Sequence, residues 1–252
     1  MGRLALVWDA PWLMWTTVDA NDVSRREISN PDMVAEVLRA LRQKVGVGAE
    51  VIHAEWAKPA TVVPSALLPN EVTTEVLSPL HQMHHGVPAT GAHIHALALD
   101  ATEDRPWLAL EGNVVWTKAV ESVFPQAKHV PVIQALIHDA IQWHRENACD
   151  GWTFRVDLRE SGAVMAATAG ESLQWVHHLA GHFTAEDALY AMVNAAHRAG
   201  VELSLCRVRW SGEEALTQGW YRFMDVSPQT SDSDQASPSP WAGLFQSLRS
   251  CG

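Results

Sequence analysis

Residues 152–181 read "WTFRVDLRESGAVMAATAGESLQWVHHLAG". Three β-prone runs, "WTFRVDLR", "GAVMAATA" and "SLQWVHHLAG", are separated by the short breaks "ESG" and "GE". Connections that short join neighbouring antiparallel strands, so the stretch is a three-stranded meander. The segment "TAEDALYAMVNAAHRAG" follows it. Thr184 stands at an N-cap position, Glu186 and Asp187 fill the first turn, and Gly200 lies just past the last turn. Those are the signals of a helix. "VELSLCRV", 201–208, then reads as a buried strand. The order is β-β-β-α-β.

The N-terminal half carries the same order. "RLALVWDA" and "WLMWTTVDA" are apolar runs across a Pro-containing break, a hairpin, and "DVSRREIS" is a shorter, more polar third strand. Asn30 and Pro31 open a helix whose Val34, Val37, Leu38 and Leu41 recur at helical spacing, with Gly46 and Gly48 closing it. "AEVIHAEWA" is the next strand. Between the halves lie the extended "ATVVPSALLP" and a helix through "NEVTTEVLSPLHQMHH" that Pro79 must kink or end. The strands "AHIHALALD" and "RPWLALEGN" follow, then the helices "VVWTKAVESVFP" and "VPVIQALIHDAIQWHREN". Residues 225–240, rich in Ser, Asp and Pro, read as a flexible surface segment. "WAGLFQSLRSCG" resumes apolar character and docks back on the body.

A meander, a helix and a parallel fourth strand begin a ribonuclease-H-like unit. Two in tandem imply the actin-like ATPase architecture: an α/β protein with mixed sheets in two lobes, 1–128 and 129–252. In that architecture a nucleotide sits between the lobes. Hairpin turns supply backbone N–H groups to its phosphates, and an Asp holds Mg²⁺ or its waters. Asp9 and Asp157 occupy the corresponding hairpins and are the candidate Mg-nucleotide ligands. Around them the pattern departs from a phosphate loop. Pro11 removes a donor, Trp12 is bulky where phosphate must come close, and Glu160 repels anions. An intact site with Mg-ATP as cofactor is therefore the alternative expectation, and no cofactor the main one. No catalytic residues are expected.

"VVWTKAVESVFPQAKHVPVIQALI" resembles the central signature of an uncharacterised, mostly Bacteroidetes family, domain of unknown function number three-eight-two-two. Phe124, Pro125, Ala127 and His129 are the residues that match. "LQWVHHLAGHFTAEDALYAMVNAAHRAGV" is similar to its strand, small polar turn and acidic helix start, with Tyr190 alone where two aromatics are usual. The ending "WAGLFQSLRSCG" looks like its apolar tail. The resemblance implies an actin-like fold and no known activity.

The remaining features narrow the function classes. A net charge of −11 argues against a nucleic-acid surface, which needs clustered Lys and Arg. No apolar run reaches the roughly 18 residues that span a bilayer. Cys149, Cys206 and Cys251 are three and widely spaced, which suits reduced thiols in the cytoplasm. The stretch "HQMHHGVPATGAHIH", 81–95, offers His81 and His85 on one helix face with His93 and His95 on one strand face. A metal site needs all four to converge, and the segment brings no carboxylate or thiol to join them, so a variable loop is expected. His177 and His178 point to opposite faces of a strand. Trp8 and Trp12 are expected to share a hairpin face, and any exposed Trp would mark a protein-binding patch. The expected role is binding or scaffolding, with an unidentified protein partner. An atypical ATPase or small-molecule kinase, and a histidine-rich metal-binding module, are the alternatives.

Overall fold

The computed structural model describes residues 3–17, 22–56, 58–88, 92–99, 102, 105–229 and 241–251. The first half forms β1 (Arg3–Asp9), β2 (Trp12–Thr17), β3 (Ser24–Glu27), α1 (Pro31–Val45) and β4 (Glu50–Glu55). An insertion follows, comprising β5 (Ala60–Val63), α2 (Thr74–His85), β6 (Ala92–Ala98) and β7 (Trp107–Asn113). The chain continues through α3 (Val114–Val123), β8 (Lys128–His129) and α4 (Val132–Glu146). The second half forms β9 (Thr153–Arg159), β10 (Gly162–Ala169), β11 (Ser172–Ala180), α5 (Ala185–Arg198), β12 (Arg207–Gly212), β13 (Asp225–Pro228) and α6 (Ala242–Cys251).

Two five-stranded sheets share one order. The first runs β3-β2-β1-β4-β8 and the second β11-β10-β9-β12-β13; β5, β7 and β6 make a third, antiparallel sheet. In each large sheet the first three strands are antiparallel and the last two join in parallel. The expected tandem order is present, with a fifth strand in each half that the sequence reading did not place.

Alternation sorts the side chains. Leu4 and Leu6 of β1 pack outward with Val34 and Leu38 of α1 and Trp116 of α3. Ala5 and Val7 face inward, into a core built from Val132, Ile133 and Leu136 of α4, Val164 and Ala166 of β10, and Leu244, Phe245 and Leu248 of α6. Thus α4 and α6 form the layer between the two sheets. In the second sheet Phe154, Val156 and Leu158 of β9 pack outward with Ala188, Met192 and Ala196 of α5. The inward residues of β9 are Arg155, Asp157 and Arg159, and all three are buried.

Those charges are paired within the protein, with Arg159 Nη1 alone among their atoms left without a hydrogen-bond partner. Arg155 Nε donates to Asp139 of α4, and its Nη1 to the Val156 carbonyl. Its Nη2 reaches Ser211 Oγ at 3.0 Å and Ser247 Oγ of α6 at 3.1 Å, and bonds to Gln229. Gln229 Nε2 closes the ring by donating to Asp139 Oδ1 at 3.4 Å. One guanidinium therefore ties β9 to α4, β12, α6 and the residue after β13.

Two local expectations change. "VELSLCRV" is not one strand: 203–205 is a short 3₁₀ turn, and β12 starts at Arg207, where the parallel partner Thr153 begins β9. Residues 225–228, expected as flexible, form β13 against β12, because Gln229 behind them is pinned to Arg155. Pro228 is tolerated there because β13 is an edge strand; the rest of the segment, 230–240, lies outside the described residues. The helix through Pro79 runs on to His85.

Removing one partner of a buried ion pair strands the other, at a cost of about 3–5 kcal/mol. Asp139→Ala should lower the unfolding free energy in urea by that order. Pairing Arg155→Met with Asp139→Leu should recover most of the loss.

Candidate functional site

The cleft between the two large sheets is where the candidate Asp residues were expected to meet. The hairpin registers decide what stands there. Asp9 is the last residue of β1 to pair with β2, opposite Trp12. Arg159 is the last of β9 to pair with β10, opposite Gly162. The counterpart of Asp9 across the cleft is therefore Arg159, and Asp157 sits one inward position deeper in its strand.

Asp157 is fully buried. Arg159 grips it with Nε at 2.6 Å and Nη2 at 2.8 Å, and Ser211 Oγ donates to it as well. Its lone pairs are committed inside the second sheet. Asp9 reaches the second hairpin directly, accepting from Ser161 Oγ at 3.3 Å. Burial raises the Asp9 carboxyl above its ordinary range; the Ser161 bond and the positive charges of Arg159 and Lys58 oppose that shift. The two hairpin tips thus touch, and the structure does not bring the two Asp side chains face to face.

Aromatic rings roof the same place. The Arg159 guanidinium lies 3.8 Å from the Trp241 ring centroid and 5.4 Å from that of Trp56. The two indoles meet edge to face at 5.6 Å and 81°. Trp56 is held by its backbone N–H to the Trp8 carbonyl at 2.8 Å. Trp12 stands beside Asp9 on the inner face and carries Arg25 over its ring at 5.0 Å. Trp8 turns the other way and stacks on Trp116 at 5.7 Å, so Trp8 and Trp12 do not share a face. The cause is register: Trp8 pairs with Leu13 and Asp9 with Trp12.

Comparison with known proteins places this arrangement in a fold. A protein of unknown function from Bacteroides thetaiotaomicron, with an actin-like ATPase fold, matches over 100% of this chain and 96% of its own, at TM-score 0.70 and 11% identity. The chain has an actin-like ATPase fold. The PilM–PilN type IV pilus biogenesis complex matches over 99% of this chain and 98% of that chain, at TM-score 0.52 and 12% identity. The cytoplasmic domain of EpsL, an inner-membrane component of the type II secretion system of Vibrio cholerae, matches over 99% and 95%, at TM-score 0.50 and 10% identity. No protein-family profile matches the chain, and no curated protein does. Among the described residues no helix is long and apolar enough to cross a membrane.

Within this fold the histidines separate into two sets. His81 is fully buried, with Nδ1 3.0 Å from Thr61 Oγ1 and Nε2 3.4 Å from Glu111 Oε1; His85 Nε2 lies 3.2 Å from the Ala60 carbonyl. They hold α2 on the insertion sheet. His93 and His95 turn to the first large sheet. His95 lies 5.3 Å from His129, and His129 stacks 5.0 Å from its cross-strand partner His53. Gly112 makes this possible, since a Cβ there would sit 2.3 Å from His95 Nε2. Among the described residues no group of three His, Cys, Asp or Glu is placed to hold a metal ion. The loop expected between the helix and the strand is thus flanked by two packed histidine pairs. His177 and His178 are both half-buried, the former stacked on Trp175 at 5.3 Å. No Trp is among the exposed large hydrophobic side chains described.

Sequence reasoning missed Trp56, Arg159 and Trp241. The signal for Arg159 was the alternation of charge in "FRVDLR"; nothing local announces that Trp241 folds back 82 residues later.

Burial and mutual repulsion hold three imidazoles neutral: His53 and His95 at about 4, and His129 at about 3. Below the ordinary value of 6.5 the unfolded chain binds protons that the folded chain refuses until about pH 4. Stability therefore falls as pH drops from 6.5 toward 4. The melting temperature should decline over that interval, and His53→Phe should flatten the decline.

Proposed function

We propose that this chain is a non-catalytic actin-like protein whose interlobe cleft has lost its nucleotide, serving as a binding or scaffolding component. The observation that carries this reading is the state of the cleft. Asp157 is held by Arg159, and Arg159 is covered by Trp56 and Trp241. A Mg-nucleotide needs a free carboxylate and open backbone donors at that place. A carboxylate already bonded in bidentate fashion to a guanidinium, under two indoles set edge to face, offers neither.

The reading extends to organisation and lineage. The chain divides into lobes 1–128 and 129–252, belongs to the domain-of-unknown-function family its central signature resembles, a mostly Bacteroidetes family, and works in the cytoplasm as a pseudo-ATPase. A protein partner is supported by the PilM–PilN structure, in which a similar fold was determined in a complex. Charge speaks against nucleic acid as a partner, since a chain with net charge −11 repels phosphate backbones. The atypical ATPase or kinase reading would rest on Asp9 and Asp157 acting together, and they do not face each other. The metal-module reading would rest on His81, His85, His93 and His95, which pack as two separate pairs.

Calorimetric titration of the full chain with Mg-ATP should give no saturable heat. Micromolar binding of Mg-ATP would sink the proposal and restore the enzyme reading.

A further inference from the structure

The insertion sheet is fastened to the rest of the protein in two different ways. Val62 of β5 and Leu108 and Leu110 of β7 lie on one face of it and join the core around Ile133 and Leu136 of α4. On β6, the edge strand, that face carries His93 and His95 instead, opposite Gly112 and Leu110. These two rings meet His129 of β8 and, behind it, His53 of β4. Ring centroids are spaced 3.8 Å from His93 to His95, 5.3 Å on to His129 and 5.0 Å on to His53. β5 and β7 are thus held by apolar contact, and β6 by a row of four imidazoles drawn from three strands.

The row is built to be neutral. His53 Nδ1, His93 Nδ1 and His95 Nε2 are buried without a hydrogen-bond partner. The carboxylate beside the row is Glu55 at the end of β4, and it is already engaged: its oxygens accept the Asn113 N–H at 2.8 and 3.0 Å, and Lys58 Nζ stands 3.5 Å away. Glu111 of β7 lies on the opposite face of the insertion sheet, 3.4 Å from His81 of α2, whose ring adjoins that of His85. Lys128, the other residue of β8, reaches the Cys251 carbonyl. α3 offers the row the uncharged indole of Trp116, edge-on to His53 at 5.9 Å. A charge placed on any of these rings therefore finds another imidazole for a neighbour and no free carboxylate. Nor can the rings spread toward β7, since a Cβ on Gly112 would already overlap His95 and stand 3.2 Å from His93 Cε1. Burial first, and the adjoining rings second, hold His53 and His95 at about 4 and His129 at about 3.

We propose that β6 is an acid-released latch: protonation of the histidine row opens the β6–β7 ladder and lifts β6 away from β4 and β8, while β5 and β7 stay on their apolar anchor. The two large sheets keep their structure as the latch opens. The event is local, distinct from the fall in overall stability that the same rings produce. It is independent of the state of the interlobe cleft, so its failure would leave the non-catalytic reading untouched.

The test is hydrogen exchange of the full chain by mass spectrometry at pH 7 and pH 4.5, corrected for intrinsic exchange rates, comparing residues 92–98 with residues 153–169 of β9 and β10. A ring that regains its ordinary 6.5 on opening raises the opening constant about hundredfold at pH 4.5. The opening constant of 92–98 should therefore rise at least about hundredfold, and at pH 4.5 these residues should exchange at least about tenfold faster than 153–169. Leucine is close to histidine in volume and needs no hydrogen-bond partner. The triple variant His53→Leu, His95→Leu, His129→Leu should therefore fold and hold the rise within about threefold. The proposal is overturned if the opening constant of 92–98 does not change with pH, if 92–98 and 153–169 exchange at one rate at pH 4.5, or if the triple variant shows the full rise. Should that variant not fold, the comparison of the two segments in the wild-type chain still decides.

Discussion

The inward face of β9 sets the terms for the rest of this protein. A central strand in a sheet covered on both sides is ordinarily apolar throughout, because burying a charge costs several kcal/mol unless it is paired and hydrogen-bonded. Here Arg155, Asp157 and Arg159 replace that apolar row. Each must find partners inside the protein, and the partners come from far along the chain: Asp139 before the strand, Ser211 and Gln229 after it, and Ser247 on the last helix. The ion pairs therefore act as a specification of assembly. α4 and α6 can occupy the layer between the sheets in one register only, the one that satisfies Arg155.

That requirement propagates to the cleft. Arg159 belongs to the same inward row, two residues beyond Asp157, and folds back to hold it. Once Arg159 is committed, the face of its guanidinium turned away from Asp157 is a cation that needs cover. Trp241, brought in at the head of α6, supplies a ring at 3.8 Å, and Trp56 after β4 supplies a second. The C-terminal helix is fixed at its other end too, where Lys128 Nζ reaches the Cys251 carbonyl at 3.1 Å and Arg249 the Thr16 hydroxyl at 3.1 Å. The last helix thus bridges the two sheets, with bonds to Arg155 in one and to Thr16 in the other.

The parts legible in the sequence were those governed by local rules. Short turns and alternation placed the two meanders; the Thr184 cap, confirmed by reciprocal bonds with Asp187, placed α5. What was not legible depended on distant partners. β8 has two residues and β13 four, too few to carry a pattern, and each exists because a parallel neighbour lines it up. The strand "TFRVDLR" alternates perfectly, which in isolation describes a strand with one wet face. Both faces are in fact buried, and only Asp139, Gln229 and Ser247 reveal it. The Asp9 and Asp157 expectation rested on a related kind of local reading. Both were read by position relative to a hairpin, but the second turn falls after Arg159, two residues later than a match to Asp9 requires.

The two sheets show how one strand order supports different inner surfaces. In the first, β1 turns Ala5 and Val7 inward, small apolar residues against which α4 and α6 pack closely. In the second, β9 turns charges to the same helices. A largely apolar contact on one side and a hydrogen-bonded ionic contact on the other make the helical layer adhere to both, by different physics. The apolar side tolerates small shifts, since dispersion is non-directional. The ionic side does not, since guanidinium–carboxylate geometry is fixed by its fork. The apolar side is pinned all the same, by the Arg249 bond to Thr16 and the Lys128 bond to Cys251 at the far end of α6, so directional contacts fix the helical layer against both sheets.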